Sequence, residues 1–514
     1  MKNIKISKVL SVSALFALGL GLFASCTAGF EDAKRPGGYL NGSELNTDGY
    51  ATGAFLIQLQ NQAFPEQENT YQMNVDLIGN YCGRYMTYSN NGFSNNNFVR
   101  QNAPDGWVKY PFNDCTPKVV SAFNEIERLS GGEGVNYAIA LALRAQSFLR
   151  LTDMYGPYPI GAEEDANAYS SQEKVYRTLI EDLDKATDIL APLVSAEPNL
   201  SISADYDQVY DGKVASWLKF AYSLKLRMAI RMRFAAPDFA KEVGEAAVAG
   251  GVITSNADNV AITYVPNGEY KTSVEWGDSR ACADIDSYMN GYNDPRISKY
   301  FKATATAGDR DVIGLRAGAT VGNKNTAMNL YSMKNVEQNS KGVWMTAAEM
   351  AFCRAEGALA GWSGMGGTVE ELYNEGIRLS FEQWGASGAD AYIADDTAVP
   401  ANYVDAAGGY GAPATAASSL TVKWDDSASE EVKLERLIIQ KWIAGYPNGD
   451  EGWAEIRRTG YPKVFPISTV SVSNVPNRIP FSADEPINNP ANYAKAVQLL
   501  GGADNYTTKM WWQR

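Results

Sequence analysis

Apolar residues recur along much of this chain at steps of three and four, the period of one helical face. After Tyr176, the positions Leu179, Ile180, Leu183, Ala186 and Leu190 fall on one side with charged residues between them, which predicts an amphipathic helix with a single buried stripe. Over residues 137–152, Ala138, Ala142, Ala145, Phe148 and Leu149 share a face, where small side chains let a neighbouring helix approach closely. Gly156-Pro157 then stops that helix. The same spacing recurs at Trp217, Ala221, Leu224 and Met228, at Ala348, Phe352, Ala355 and Leu359, at Tyr373, Gly376 and Ser380, and at Leu434, Leu437, Ile438 and Trp442.

Several helices pairing through small and aromatic residues predict a mainly α fold of tetratricopeptide-like helix pairs, although no strict repeat period is present. Between them lie long stretches without helical period, at 80–113, 256–281 and 386–430. Loops of that length in a compact protein are functional or contain small strands, so the pattern adds minor β-structure and a loop-rich face.

The amino terminus has a different pattern. Lys2, Lys5 and Lys8 precede an apolar run over 9–24 that is short and Gly/Ser-interrupted for a membrane span, the form of an export signal. It ends Leu22-Phe23-Ala24-Ser25-Cys26, which resembles the lipobox of bacterial lipoproteins, whose cysteine is lipidated with palmitate-type chains and becomes the mature N-terminus. The plain alternative is a secretory signal with a chance cysteine. The organisation predicted is a signal peptide over 1–25, a lipidated flexible tether over 26–48 and one helical domain over 49–514. The polar, glycine-bearing composition of the tether suits a flexible linker, and its Phe30-Glu31-Asp32 resembles the short acidic signals that send some lipoproteins to the cell surface.

Composition narrows the chemistry. The chain has 514 residues, 45% apolar and 20% charged, with no histidine, which is ordinary globular composition and removes Ser-His-Asp and Cys-His nucleophile pairs, imidazole bases and His-based zinc sites. Its formal net charge of −14 opposes a phosphate backbone, and no concentrated basic patch offsets it. Cys82, Cys115, Cys282 and Cys353 are widely spaced and form no C-x-x-C; buried free thiols and disulfides both fit them. No cofactor or metal site is indicated.

Several segments together resemble one known family. Met345-Thr346-Ala347-Ala348-Glu349-Met350-Ala351-Phe352-Cys353-Arg354-Ala355-Glu356 is similar to a helix of SusD/RagB-type nutrient-binding outer-membrane lipoproteins. So is Gln440-Lys441-Trp442-Ile443-Ala444-Gly445-Tyr446-Pro447-Asn448-Gly449 running into Glu451-Gly452-Trp453-Ala454-Glu455-Ile456-Arg457-Arg458-Thr459-Gly460-Tyr461-Pro462, with Glu455 where the family usually has Asp. Arg478-Ile479-Pro480-Phe481, Glu485, Asn488 and Trp511-Trp512 continue the likeness, as do Asp153-Met154-Tyr155-Gly156-Pro157-Tyr158-Pro159 and residues 217–227 upstream. The match is closest to the second SusD-like subgroup. The resemblance implies four tetratricopeptide-like helix pairs with a loop-rich ligand-binding face, and a non-enzymatic glycan-binding lipoprotein of the outer membrane facing the cell exterior. It also implies a partner, a SusC-like TonB-dependent transporter to which oligosaccharide is delivered. A peptide ligand, or glycoside hydrolysis by paired carboxylates, are the alternatives.

Conspicuous motifs also have plain readings. Arg457-Arg458, flanked by Glu451 and Glu455, reads as buried ion pairing rather than an anion site. Glu349 and Glu356 share a helix face and raise the idea of a glycosidase pair, but a structural role near Arg354 fits better. Asp205, Asp207 and Asp211-Gly212 fail calcium-loop spacing and read as a cap for the helix near Trp217. Residues 318–324 lack the length and the Ser or Thr of a phosphate-binding loop, and Asp294-Pro295-Arg296 reads as a structural turn.

The stretch 80–113 is the strongest binding candidate. It sets Tyr81, Tyr85, Tyr88, Phe93, Phe98, Trp107, Tyr110 and Phe112 among Asn90, Asn91, Asn95, Asn96 and Asn97. Sugars present an apolar C–H face and a hydroxyl rim, so they are met by flat rings and by amides that both donate and accept. Tyr85, Tyr88, Phe93 and Trp276 are the candidate stacking rings, Asn91 and Asn95 the hydrogen-bonding amides, and Trp107, Tyr270 and Tyr292 further candidates. Against this, half of these rings would serve equally to staple the loop onto the helices. Trp442 and Trp453 belong to the packed helical side.

Overall fold

Capping residues at the start of each predicted stripe explain where the helices begin. The structure, a computed structural model, describes residues 49–467 and 475–514; the export signal, Cys26 and the tether over 26–48 lie outside them. Helix α1 (Tyr50–Ala63) precedes a π-helical segment at Gln72–Asn80. Then come α2 (Tyr110–Ser130), α3 (Gly134–Tyr155), α4 (Gln172–Ala196), α5 (Val214–Met232), α6 (Pro237–Gly250) and α7 (Ala283–Gly291). The later long helices are α8 (Ala347–Leu359), α9 (Val369–Gln383), α10 (Glu430–Ala444), α11 (Gly449–Thr459) and α12 (Pro490–Leu500). Ser171, Thr346, Ser429 and Asn448 each accept a first-turn N–H, and Thr368 with Glu371 forms a reciprocal capping box, which satisfies donors that a helix start leaves unpaired.

Short connectors at 131–133, 233–236, 360–368 and 445–448 turn successive helices back as hairpins. Each of α2 to α5 packs on the next, α5 also carries α6 and α8, and α8 carries α9 and α10. The fold is therefore mainly α, built of stacked helix pairs. The predicted stripes are the buried ones: Leu179, Ile180, Leu183, Ala186 and Leu190 on α4, and Tyr373, Gly376 and Ser380 on α9. A Cβ on Gly376 would sit 2.7 Å from the Phe352 ring, so a residue without one is what lets α9 approach α8. At Gly449 a Cβ would lie 2.3 Å from the Asn80 backbone nitrogen, where α11 meets the π-helical segment backbone to backbone.

The minor β-structure falls partly in the loops marked by their lack of period. Strands β1 (Met86–Tyr88), β2 (Val260–Thr263), β3 (Ser279–Ala281) and β4 (Lys341–Met345) form two antiparallel pairs, β1 with β3 and β2 with β4. Cys82, Cys115, Cys282 and Cys353 are free and buried. Burial pushes the Cys82 and Cys353 thiols up to about 12 and Cys115 up to about 11, which keeps them protonated and unreactive.

Charged side chains lie deep between the helices. Arg227 on α5 donates bidentately to Glu349 on α8 at 2.6 and 2.7 Å. Arg231, one turn on, bonds Asp153 on α3 and Glu451 on α11. Arg458 forks onto Glu356 at 2.6 and 2.8 Å and reaches Glu455 at 2.5 Å, while Lys441 holds the other Glu455 oxygen at 2.9 Å. Glu349 and Glu356 are thus structural, but their partners are Arg227, Arg233 and Arg458; Arg354 instead pairs with Glu375. The reading of Arg457-Arg458 also divides. Arg458 is ion-paired, whereas Arg457 gives its protons to the carbonyls of Asp153 and Asn477 and lies 3.5 Å from the Trp453 ring centroid. Asp207 does not cap α5; its carboxylate gathers the N–H groups of Val209, Tyr210 and Gly212 and the Trp217 indole, fixing the turn that leads into the helix. Asp294 and Arg296 pair in the core, as a structural turn requires.

Asp450, at the start of α11, has both carboxylate oxygens buried and neither hydrogen-bonded. Burial pushes its pKa up to about 7, against roughly 3.9 in an unfolded chain. Between those values the native state holds a proton that the unfolded state has lost, so this group's contribution to stability falls as pH rises. Asp450→Asn keeps the shape and removes the titration. Its stability relative to the natural protein should therefore increase from pH 5 to pH 8 in urea unfolding; a difference constant across that range would refute the assignment.

Candidate ligand-binding face

The loop-rich face is organised around one carboxylate. Asp278, just before β3, accepts the amide of Asn90 at 2.8 Å, that of Gln72 at 2.9 Å and the ammonium of Lys324 at 2.5 Å, and its backbone carbonyl takes the Ser89 N–H. One buried anion thus ties the loop after β1, the π-helical segment and the short helix at Lys324–Leu330. Arg280, opposite Thr87 in the β1–β3 ladder, donates to the carbonyls of Ser273 and Met328 at 2.7 and 2.9 Å, and burial brings its guanidinium down to about 10.

A second set of bonds lays the asparagine-rich loop against residues 318–321. The Tyr88 hydroxyl donates to the Ala319 carbonyl at 2.8 Å, the Ser94 hydroxyl accepts the Val321 N–H at 2.6 Å, and Arg100 reaches the Gly318 carbonyl at 2.8 Å and the Thr320 hydroxyl at 2.9 Å. Asn90 and Asn97 turn inward to bond the Gly92 N–H and the Phe93 carbonyl. Asn91 and Asn95 remain exposed. Phe93 and Trp107, both half-buried, meet edge to face with centroids 5.0 Å apart. Trp276, half-buried, stands two residues before Asp278, with the Lys271 ammonium 5.9 Å from its ring.

The sequence-derived set therefore divides. Asn91 and Asn95 are exposed, and Phe93, Trp107 and Trp276 are half-buried, so each keeps accessible polar or ring atoms. Tyr85 and Tyr88 are fully buried: Tyr85 stacks on Trp442 at 5.2 Å and donates to its carbonyl, and Tyr88 is spent on Ala319. Neither ring presents a face to a ligand, a correction to their reading as stacking rings. Tyr292 is also core, its hydroxyl given to the Leu420 carbonyl and its ring edge-on to Tyr392. Tyr270 is half-buried at the other end of the π-helical turn from Trp276, beside Gln338.

Sequence reasoning missed Asp278, Arg100, Lys324 and Tyr410. Half-buried Tyr410 lies along Gly322 and accepts the Asn323 N–H. A lone ring in Gly408-Gly409-Tyr410-Gly411 within a long aperiodic stretch was its available signal. The other three are single polar residues whose partners lie far along the chain.

Because Tyr85 is wedged between α10 and α11, Tyr85→Ala should cost about 3–5 kcal/mol in chemical denaturation, the usual cost of emptying an aromatic core site. Asn91→Ala should stay within about 0.5 kcal/mol, as surface changes do. Equal stabilities for the two variants would return Tyr85 to the surface.

Comparison with known proteins agrees with this architecture. The family described as SusD-like, "Susd and RagB outer membrane lipoprotein", matches residues 32–513. A SusD homolog from Bacteroides uniformis is 37% identical, with a TM-score of 0.83, covering 90% of this chain and 99% of its own. A chitin-binding SusD homolog from Flavobacterium johnsoniae is 35% identical, with a TM-score of 0.84 and coverage of 90% and 98%. A SusD-like protein from Bacteroides thetaiotaomicron is 37% identical, with a TM-score of 0.83 and the same coverage. No curated protein matches the chain. With nearly its whole length matched in sequence and in fold, the chain belongs to the SusD/RagB family of outer-membrane lipoproteins.

Proposed function

We propose that this protein is a non-catalytic, cell-surface glycan-binding lipoprotein that captures oligosaccharide and passes it to a SusC-like TonB-dependent transporter. The observation that carries this reading is the loop after β1, where exposed amides at Asn91 and Asn95 flank Phe93, which meets Trp107, and where Asn90 bonds Asp278 two residues from half-buried Trp276. The charges of this face are already engaged, Asp278 with Lys324, Lys271 with Glu68 and Glu275, and Arg100 with the Gly318 carbonyl and the Thr320 hydroxyl, which leaves amide hydrogen bonding and ring stacking, the chemistry that suits a sugar. The family's description as outer-membrane lipoproteins and the chitin-binding relative support the same reading. Against hydrolysis, the carboxylates first considered for it, Glu349 and Glu356, are neutralised by arginines in the core. Anchoring is assigned to lipid on Cys26, with residues 27–48 as a tether and 49–514 as the binding domain. Among the described residues no helix is long and apolar enough to cross a membrane.

Removing one stacking ring forfeits about 0.5–1.5 kcal/mol beyond area, so Phe93→Ala, Trp107→Ala or Trp276→Ala should weaken binding of the cognate oligosaccharide about threefold to tenfold. Calorimetric titration against a polysaccharide and peptide panel reads this. Tight binding of peptides alone, or sustained product release from a glycan, would replace the proposal.

For the anchor, Cys26→Ala should abolish incorporation of a palmitate analogue and release the protein from the outer membrane, whereas the natural protein extracted in mild detergent should bring a TonB-dependent barrel with it. Label retained by the variant, or natural protein recovered alone, would count against anchoring or partnership respectively.

A further inference from the structure

A groove of about 960 Å³ runs between α2, the 159–169 loop and the short helix at Glu485–Asn488, a volume within the usual ligand-site range. It shares no residue with the face around Asp278. Asn113, Pro117, Val120 and Asn124 form its wall, spaced so that one stripe of α2 looks into it, and all four are exposed. Pro117 has no N–H to give the Asn113 carbonyl, so the helix leaves an acceptor unclaimed by its normal partner. At the floor Arg144 pairs with Asp182 at 2.5 Å, donates to the Ile160 carbonyl at 2.9 Å and lies 4.8 Å from the Phe123 ring centroid. Tyr137 bridges Lys185 and Glu127 through its hydroxyl, with both bonds at 3.0 Å.

Asn167, Asn488, Asn489 and Tyr169 also line the groove. The Tyr169 hydroxyl is buried beside Glu485, and burial together with the charge of Glu485 and a hydrogen bond to its carboxylate raises the phenol pKa. Of the five charged lining residues, four are tied together within the groove, leaving Glu485 as the surplus. An anionic ligand therefore finds no free cation and a cationic one only Glu485, whereas a polyhydroxylated ligand finds amides at Asn113, Asn124, Asn167, Asn488 and Asn489 and apolar surface at Val120 and Phe112.

We propose that this groove is a second oligosaccharide site, separate from the face around Asp278. The inference rests on the glycan-binding reading for its ligand class but on different residues for its site. Its substitutions fall on exposed positions of α2, so folding is preserved, and an unchanged melting temperature verifies this.

The test compares the natural protein with Asn113→Ala/Asn124→Ala, with the blocking variant Val120→Trp, and with the loop-face variant Trp276→Ala. Chitohexaose, maltoheptaose, xylohexaose and mannohexaose are the probes, read by native mass spectrometry and calorimetry. The natural protein should take two equivalents of at least one probe. Both α2 variants should lose one equivalent or weaken it at least threefold, with the second retained, and Trp276→Ala should do the converse. Wild-type stoichiometry and affinity in both α2 variants, with all binding sensitive to Trp276→Ala, would overturn the second site and leave the function intact. Binding lost only in the α2 variants would support the groove and displace the loop face. No binding of any probe by the natural protein would overturn both.

Discussion

Burying a charge is so costly that the buried arginines of this protein dictate where its helices sit. Arg227, Arg231 and Arg458 are each about 2% exposed or less, and each is held by a carboxylate from another element: Arg227 by Glu349 and Arg458 by Glu356 on α8, and Arg231 by Asp153 on α3 and Glu451 on α11. Desolvating such ions is repaid only when geometry is good and the remaining protons find acceptors. The bidentate forks of Arg227 and Arg458 meet that condition. Removing one partner strands the others, so the cluster behaves as a unit that joins α3, α5, α8 and α11. Asp153 extends it, since its second oxygen takes the Tyr176 hydroxyl and the Trp512 indole, drawing in α4 and the carboxyl-terminal residues.

A scaffold fixed in this way lets long loops carry a defined surface. The loop after β1 has little periodic structure of its own. It is held at its root by Tyr85 under Trp442, along its length by Tyr88, Ser94 and Arg100 against residues 318–321, and at its edge by Asp278. Each anchor spends its polar atoms on protein, so the rings and amides left outward are held in place by the scaffold. Preorganisation of that kind reduces the ordering cost of binding, which matters when each contact is weak.

What was legible in the sequence follows from how each element is buried. Helix α4 shows its stripe because the other side is exposed and polar, and α9 shows Tyr373, Gly376 and Ser380 for the same reason. The π-helical segment at Gln72–Asn80 was hidden because Asn74, Asp76 and Asn80 are buried polar residues, which read as loop. Helix α2 was obscured at its start by the aromatic and asparagine run that precedes it. The rings were the harder problem. Tyr85, Tyr88, Phe93 and Trp107 have the same local composition, and what separates core from surface is whether a partner such as Trp442 or Ala319, hundreds of residues away, claims the ring. The family motifs were legible because their charged positions must pair with one another. The same demand exchanged the partners first guessed, giving Glu356 to Arg458 and Arg354 to Glu375.

Two separated sites on one rigid body would change how a polymer is held. A glycan engaging one site presents its remaining units to the other at an effective concentration set by the chain between them, which multiplies weak affinities without new contacts. The gain requires that the span between the sites stays fixed, and that is what the buried ion cluster provides. Because neither site relies on unpaired charge, the net acidity of the chain neither attracts nor repels such a ligand over distance. Retention then depends on short-range stacking and amide contacts, weak enough singly for the ligand to leave one site while the other still holds it.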